Sequence, residues 1–186
     1  MNDHIRLATA WYPVVTLGYG KRLGIWTQGC KKKCEGCISP EFQSFDGGCL
    51  YHVDEVFKLI PEGSEPDGMT ISGGEPLDQP GSLLEIIRRY RASYEGDILV
   101  YTGYRLEELK VMDSIYIQEI LKNIDVLIDG TYHPEYDDGK GLRGSSNQHI
   151  HLFHFKDRYE DAESCERKLQ CVLYPNYSWY IGIPPR

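Results

Sequence analysis

Apolar residues in this chain fall in short continuous runs rather than in alternation. Leu23–Thr27, Met69-Thr70-Ile71-Ser72, Asp97–Thr102 and Asp125–Asp129 are such runs, each followed by a glycine or a polar residue. Between and around them the spacing changes to that of helices. His52–Ile60 carries Val53, Val56, Phe57 and Ile60 on one face, and Ser82 is placed to cap a helix to about Arg91 with Leu83, Leu84, Ile86, Ile87 and Tyr90 as its stripe. Leu106–Lys110 and Ser114–Lys122 read as two further helical pieces. Strands buried on both faces lose their alternation, and runs separated by helices predict a parallel sheet covered by helices.

The two ends have a different texture. Residues 5–17 read as an opening strand or hairpin arm broken by Pro13, with Gly18-Tyr19-Gly20 as a turn. After Gly130, Tyr132–Gly144 is a polar, glycine-rich loop. His149–Phe155 reads as a strand whose alternation breaks at Phe153, and Lys168–Leu173 and Trp179–Ile183 read as closing strands around a Tyr174-Pro175-Asn176 turn. About five β/α units fit, too few for an eight-unit barrel of about 250 residues. The expected fold class is therefore α/β, an incomplete, open β/α barrel of about five to six parallel strands. One domain, 1–186, is expected, with its core at about 18–150 and a C-terminal extension at about 151–186.

Charge narrows the function classes. The 186 residues hold 20 Lys and Arg against 28 Asp and Glu, a formal net charge of −8. An acidic chain without a basic stripe argues against a nucleic-acid partner. No apolar stretch has the length of a membrane span, and the N-terminus lacks the apolar core of a signal peptide. A cytoplasmic protein with no membrane partner is expected, in which grouped cysteines point to metal binding or catalysis rather than to disulfides. Lys31–Lys33 is a local exception, read as a solvated loop tip, or as charge that offsets an anionic cluster or meets an acidic partner.

That run lies within Gly29-Cys30-Lys31-Lys32-Lys33-Cys34-Glu35-Gly36-Cys37, which holds three of the six cysteines. A structural zinc site takes four protein ligands, and a fully ligated [4Fe–4S] cluster takes four cysteines. Three on one loop suggest a cubane with one iron open to a non-protein ligand; zinc completed by Cys49 or His52 is the competing arrangement. Cys49, Cys165 and Cys171 match no strong spacing. His149, His151 and His154 do not share a strand face, and Asp137-Asp138-Gly139 lacks the spaced carboxylates of a calcium loop.

The remaining candidates cluster at strand ends, where ligands sit in parallel α/β sheets. The cysteine loop follows the first run, Ser72-Gly73-Gly74-Glu75 the second, Thr102-Gly103-Tyr104 the third and Asp129-Gly130 the fourth. Gly73 and Gly74 allow close backbone approach to a ligand, and the Glu75 carboxylate can hold an ammonium group. No Ser-His-Asp arrangement or carboxylate pair offers hydrolytic machinery.

These elements resemble the radical S-adenosylmethionine (SAM) superfamily. They are most similar to its small activases, the type that activates the anaerobic (class III) ribonucleotide reductase. The resemblance rests on Trp26–Cys30, Cys34–Cys37, Ile38–Glu41, Thr70–Pro76, Tyr101–Tyr104, Val126–Gly130 and Leu142–Gln148. It implies a [4Fe–4S] cluster on Cys30, Cys34 and Cys37 with SAM on its open iron. It places Ser72, Gly73, Gly74, Glu75, Thr102, Asp129 and Arg143 in SAM binding, with no catalytic side chains beyond cluster and SAM. Reductive cleavage of SAM would yield a 5′-deoxyadenosyl radical that abstracts hydrogen from a glycine of a large glycyl radical enzyme, with a flavodoxin- or ferredoxin-type electron donor. The chain departs from the family at Ile38-Ser39-Pro40, where His-Asn-Pro is usual, and at Gly18-Tyr19-Gly20, where Gly-Pro-Gly is common. Direct action on a peptide or small molecule, or a non-catalytic metal-binding module, are the competing functions. Residues from about 156 onward carry no assignable motif.

Overall fold

The four apolar runs lie side by side at the middle of a seven-stranded sheet in the computed structural model, which describes residues 3–185. The strands are β1 (His4–Val14), β2 (Arg22–Thr27), β3 (Cys49–His52), β4 (Gly68–Gly73), β5 (Asp97–Thr102), β6 (Val126–Asp129) and β7 (His149–Leu152), in spatial order β3-β1-β2-β4-β5-β6-β7. β2, β4, β5 and β6 run parallel. β1 is antiparallel to β2 and β3, and β7 is antiparallel to β6. The parallel set thus numbers four strands rather than five to six, with the flanking strands β1, β3 and β7 all paired antiparallel.

Helices α1 (Pro80–Ser93), α2 (Leu106–Val111) and α3 (Ile115–Asn123), with a 3₁₀ helix at Val53–Leu59, cover one face of the sheet. Leu23, Ile25, Met69, Ile71, Ile98, Val100 and Leu127 point into this layer, against Val53, Val56, Leu83, Ile87 and Ile120. The alternate residues of the same strands face the other way, so both faces need cover, which is why the runs are continuous. Among the described residues, no helix is long and apolar enough to cross a membrane.

Among the described residues, no α-helix covers the opposite face. Leu99, Val126 and Ile128 pack there against Leu142, Tyr159 and Ala162, while Trp26 packs against Val14, Leu17 and Ile181. The loop at Leu142 and the chain after β7 therefore do the work of a second helical layer. At the amino ends of the parallel strands, the fully buried Arg22 and Asp97 pair at 2.6 Å. Arg22 Nε donates to Thr70 Oγ1 at 2.6 Å, and the Tyr159 hydroxyl donates to Asp97 at 2.7 Å. Gly68 makes room for this guanidinium, since a Cβ there would stand 2.2 Å from Arg22 Nη1.

Several local expectations change. Pro13 does not break the first strand: it lies where the β1–β2 register shifts between Trp11 and Val14, a position that needs no ladder N–H. β3 was not expected, and the helix expected at His52–Ile60 is the 3₁₀ turn Val53–Leu59, with the His52 ring accepting from the Asp54 N–H. Ser82 does not cap α1, whose first residue is Pro80; its hydroxyl donates to the His4 carbonyl at 2.6 Å and ties α1 to β1. β7 ends at Leu152, just before Phe153, where the alternation fails. The expected closing strands, β8 (Gln170–Leu173) and β9 (Ser178–Ile181), form a separate two-stranded ribbon rather than joining the sheet.

Candidate functional site

The turn after β2 is clamped by backbone on both sides. Gly29 N–H donates to the Phe42 carbonyl at 2.8 Å and Cys30 N–H to the Gln43 carbonyl at 3.0 Å. From the neighbouring strand end, Gly74 N–H donates to Thr27 at 2.7 Å and Glu75 N–H to Gly29 at 2.8 Å. Gln28, nearly buried, fixes the loop's far end through bonds to the carbonyls of Glu41 and Ser44. Asp78 receives the Lys31 N–H at 3.1 Å and the Tyr104 hydroxyl at 2.9 Å, joining loop and sheet. The cysteine loop is thus anchored at its base.

Cys30, Cys34 and Cys37 line one cavity of about 480 Å³ at the carboxyl ends of the parallel strands. All six cysteines are free thiols. Among the described residues, no three His, Cys, Asp or Glu side chains are grouped so that they could hold a metal ion. Neither Cys49, exposed on edge strand β3, nor His52 lines the cavity. Burial pushes the Cys30 thiol up, opposed by the backbone N–H groups of Lys32 and Lys33. Lys32 reaches into the same cavity, with its ammonium 3.9 Å from the Tyr104 ring centre and 3.7 Å from Glu108.

Ser72, Gly73, Gly74, Glu75 and Thr102 line the cavity as well. Gly73 takes φ +113°, a conformation costly for other residues. A Cβ on Gly74 would lie 2.3 Å from the Gly29 carbonyl oxygen, so only glycine lets the two turns meet. Glu75 is 1% exposed. Its carboxylate accepts from Leu77 N–H at 3.0 Å, Thr102 Oγ1 at 2.8 Å and Gly103 N–H at 2.8 Å. Burial nevertheless pushes its pKa up to about 7. The carboxylate therefore joins the ends of β4 and β5 while remaining at the cavity wall.

Asp129 and Arg143 are not among the lining residues. The Asp129 carboxylate accepts the Leu106 N–H at 2.6 Å at the start of α2 and lies 3.0 Å from His151 Nε2. Arg143 faces Asp138 at 3.4 Å and bonds the Gln148 carbonyl. It is Gln148 that shapes this side of the cavity: its side chain accepts from Gly144 N–H at 2.8 Å and donates to the Gly130 carbonyl at 2.8 Å, and Gly130, Gly144 and Gln148 all line the space.

The sequence pattern missed the opposite wall, formed by residues 179–185. Trp179 packs edge-on to Trp26 with ring centres 5.1 Å apart. Arg167, its side chain only 1% exposed, bonds the Pro184, Arg143 and Gly144 carbonyls and pairs with Asp137 at 2.8 Å, pinning this wall to the loop that carries Gly144. The available signal was compositional: residues 179–185 are uncharged.

The three thiols and the Gly73-Gly74 turn thus share one cavity of small-molecule size. The 4Fe-4S single cluster domain matches residues 16–151 and so does not include the 179–185 wall. The anaerobic ribonucleoside-triphosphate reductase-activating protein of Haemophilus influenzae is 36% identical over 154 residues, covering 77% of this chain and 96% of that protein. Its namesake from Enterobacteria phage T4 is 33% identical over 138 residues, covering 72% of this chain and 85% of that protein. The pyruvate formate-lyase-activating enzyme of Clostridium pasteurianum is 28% identical over 137 residues, covering 68% of this chain and 54% of that protein. The chain belongs to the 4Fe-4S single cluster domain family and, within it, to the radical SAM activases of glycyl radical enzymes.

Proposed function

We propose that this protein is the radical SAM activase of an anaerobic ribonucleotide reductase and that its sheet forms the open, incomplete β/α barrel of that superfamily. The observation that carries the proposal is the convergence of Cys30, Cys34 and Cys37 with Ser72, Gly73, Gly74, Glu75 and Thr102 on one cavity. The cysteines would hold the [4Fe–4S] cluster. A cubane presents separate iron corners, which suits three thiols spread along a loop better than a single ion does.

Held by Cys30, Cys34 and Cys37, the cluster would supply the one-electron reduction of SAM from which the radical chemistry on a glycine of the partner would follow. A flavodoxin- or ferredoxin-type protein would supply the electron. This chain's residues bind, orient and exclude water. Gly73 and Gly74 bring backbone against the ligand, Glu75 offers a carboxylate to its amino group, and Thr102 fixes that carboxylate. In this proposal Asp129 and Arg143 act from behind the wall. Asp129 fixes the start of α2 beside Gly130, and Arg143 fixes the loop carrying Gly144.

The test is anaerobic reconstitution with iron and sulfide, dithionite reduction and addition of SAM, with chromatography for 5′-deoxyadenosine. We expect product from the native protein and none from Cys34→Ala. Zinc in place of iron, with no product, would remove the catalytic assignment.

A further inference from the structure

The ribbon β8–β9 has two unlike faces. Val172, Trp179 and Ile181 point inward and pack with Trp26, Val14, Leu17 and Trp11. The pairing Cys171↔Tyr180 and Leu173↔Ser178 puts those four residues on the outer face. There Leu173 is 79% and Tyr180 62% exposed. Tyr174 and Tyr177 stack at the tip with ring centres 4.5 Å apart. An apolar face on so small a ribbon is unusual where the inner face already satisfies the core.

Its position decides what it is for. Tyr180 belongs both to this outer face and to the wall of the cysteine cavity, so the exposed apolar surface runs continuously into the candidate site. Ile38, 62% exposed directly after the third cysteine, lines the same cavity from the cysteine loop. The wall from 179 to 185 is uncharged, whereas Lys32, Glu41 and Glu75 lie among the other lining residues. Glycines 36, 73, 74, 103, 130, 144 and 182 also line the space and keep it accessible to polypeptide backbone.

We infer that the outer face of β8–β9, with Ile38, is the surface that receives the partner protein, and that its occupant is an extended, uncharged, apolar-flanked segment of that partner leading into the cavity. This inference rests on the activase assignment made above. Because the ribbon lies beyond the 16–151 span of the domain match, it would distinguish this chain's partner from those of its relatives. Shape and uncharged apolar contact would select the segment, and a charge introduced on the face would have to be desolvated on docking.

The experiment measures binding of reconstituted, SAM-loaded protein to the full-length anaerobic ribonucleotide reductase of the same organism by biolayer interferometry. Leu173→Glu and Tyr180→Glu are each expected to raise Kd at least about tenfold, the scale of a lost interface anchor. Leu173 is outside the cavity, so Leu173→Glu should form 5′-deoxyadenosine without reductase at the native rate, which also establishes that it folds. Native-like Kd in both variants overturns the inference, as does a native homodimer that Leu173→Glu dissolves, since the face would then be covered by a second copy. Absence of 5′-deoxyadenosine from the native protein would count against the activase assignment alone, leaving the Kd values to decide the surface.

Discussion

Glu75 shows how much a single buried carboxyl can govern. Its three hydrogen bonds favour the ionised form, yet burial outweighs them and raises its pKa from 4.5 to about 7. The folded protein therefore retains, between those values, a proton that the unfolded chain has released. Stability is greatest at the acidic end of this window and falls as pH rises through 7, by about 3 kcal/mol in total. Glu75→Gln carries no titrating proton, so its stability should lose this slope, although the amide NH2 would face either the Gly103 N–H or the donors on the other oxygen. Urea denaturation of the cluster-free native protein and variant at pH 5 and pH 8 measures the difference. Parallel pH dependences in the two proteins would show that Glu75 is already ionised in the fold.

At the scale of elements, the site is two turns locked together, the one after β2 and the one after β4. Gly74 is the contact point, with its missing Cβ 2.3 Å from the Gly29 oxygen and 2.7 Å from the Phe42 oxygen. These are backbone atoms with little freedom to move aside. Gly74→Ala should cost about 1–3 kcal/mol and displace the residue preceding Cys30. Iron per chain after reconstitution should fall well below that of the native protein, while far-ultraviolet circular dichroism is retained; full iron loading would show that the turns can separate without harm.

The same element scale explains what was legible. Strands β2, β4, β5 and β6 and the motifs at their ends could be read because each run is buried on both faces and each end is followed by a glycine or a polar residue. β3 could not be read: its pattern is half exposed, and its pairing with β1 at Leu7↔Cys49 is long-range. The 179–185 wall escaped for a related reason. Its hairpin looked like a closing pair of sheet strands, and only tertiary packing of Trp179 on Trp26 places it over the cavity. Asp129 was legible as a strand-end carboxylate, but its bond to the Leu106 amide at the start of α2 could be seen only in the folded chain.

For the whole molecule the deciding problem is the sheet face that no α-helix covers among the described residues. The C-terminal segment covers it, and the Arg22–Asp97 pair carries the polar connection between that cover and the sheet. Asp97 receives Arg22, the Tyr159 hydroxyl at 2.7 Å and Arg158 at 2.9 Å, all at the amino ends of the strands and away from the cysteine loop. Removing the carboxylate would leave the fully buried Arg22 guanidinium without its counter-charge, a loss of about 3–5 kcal/mol. Tyr159→Phe removes a single hydrogen bond and keeps the ring packed on Leu99 and Val126, so about 1 kcal/mol is expected. Asp97→Ala should therefore unfold at much lower denaturant than Tyr159→Phe. Hydrogen exchange should further show residues 156–167 opening in Asp97→Ala before the helical layer does. If both variants lose the same stability, the cover is held by Tyr159 packing and its hydrogen bond, and the buried ion pair contributes nothing beyond them.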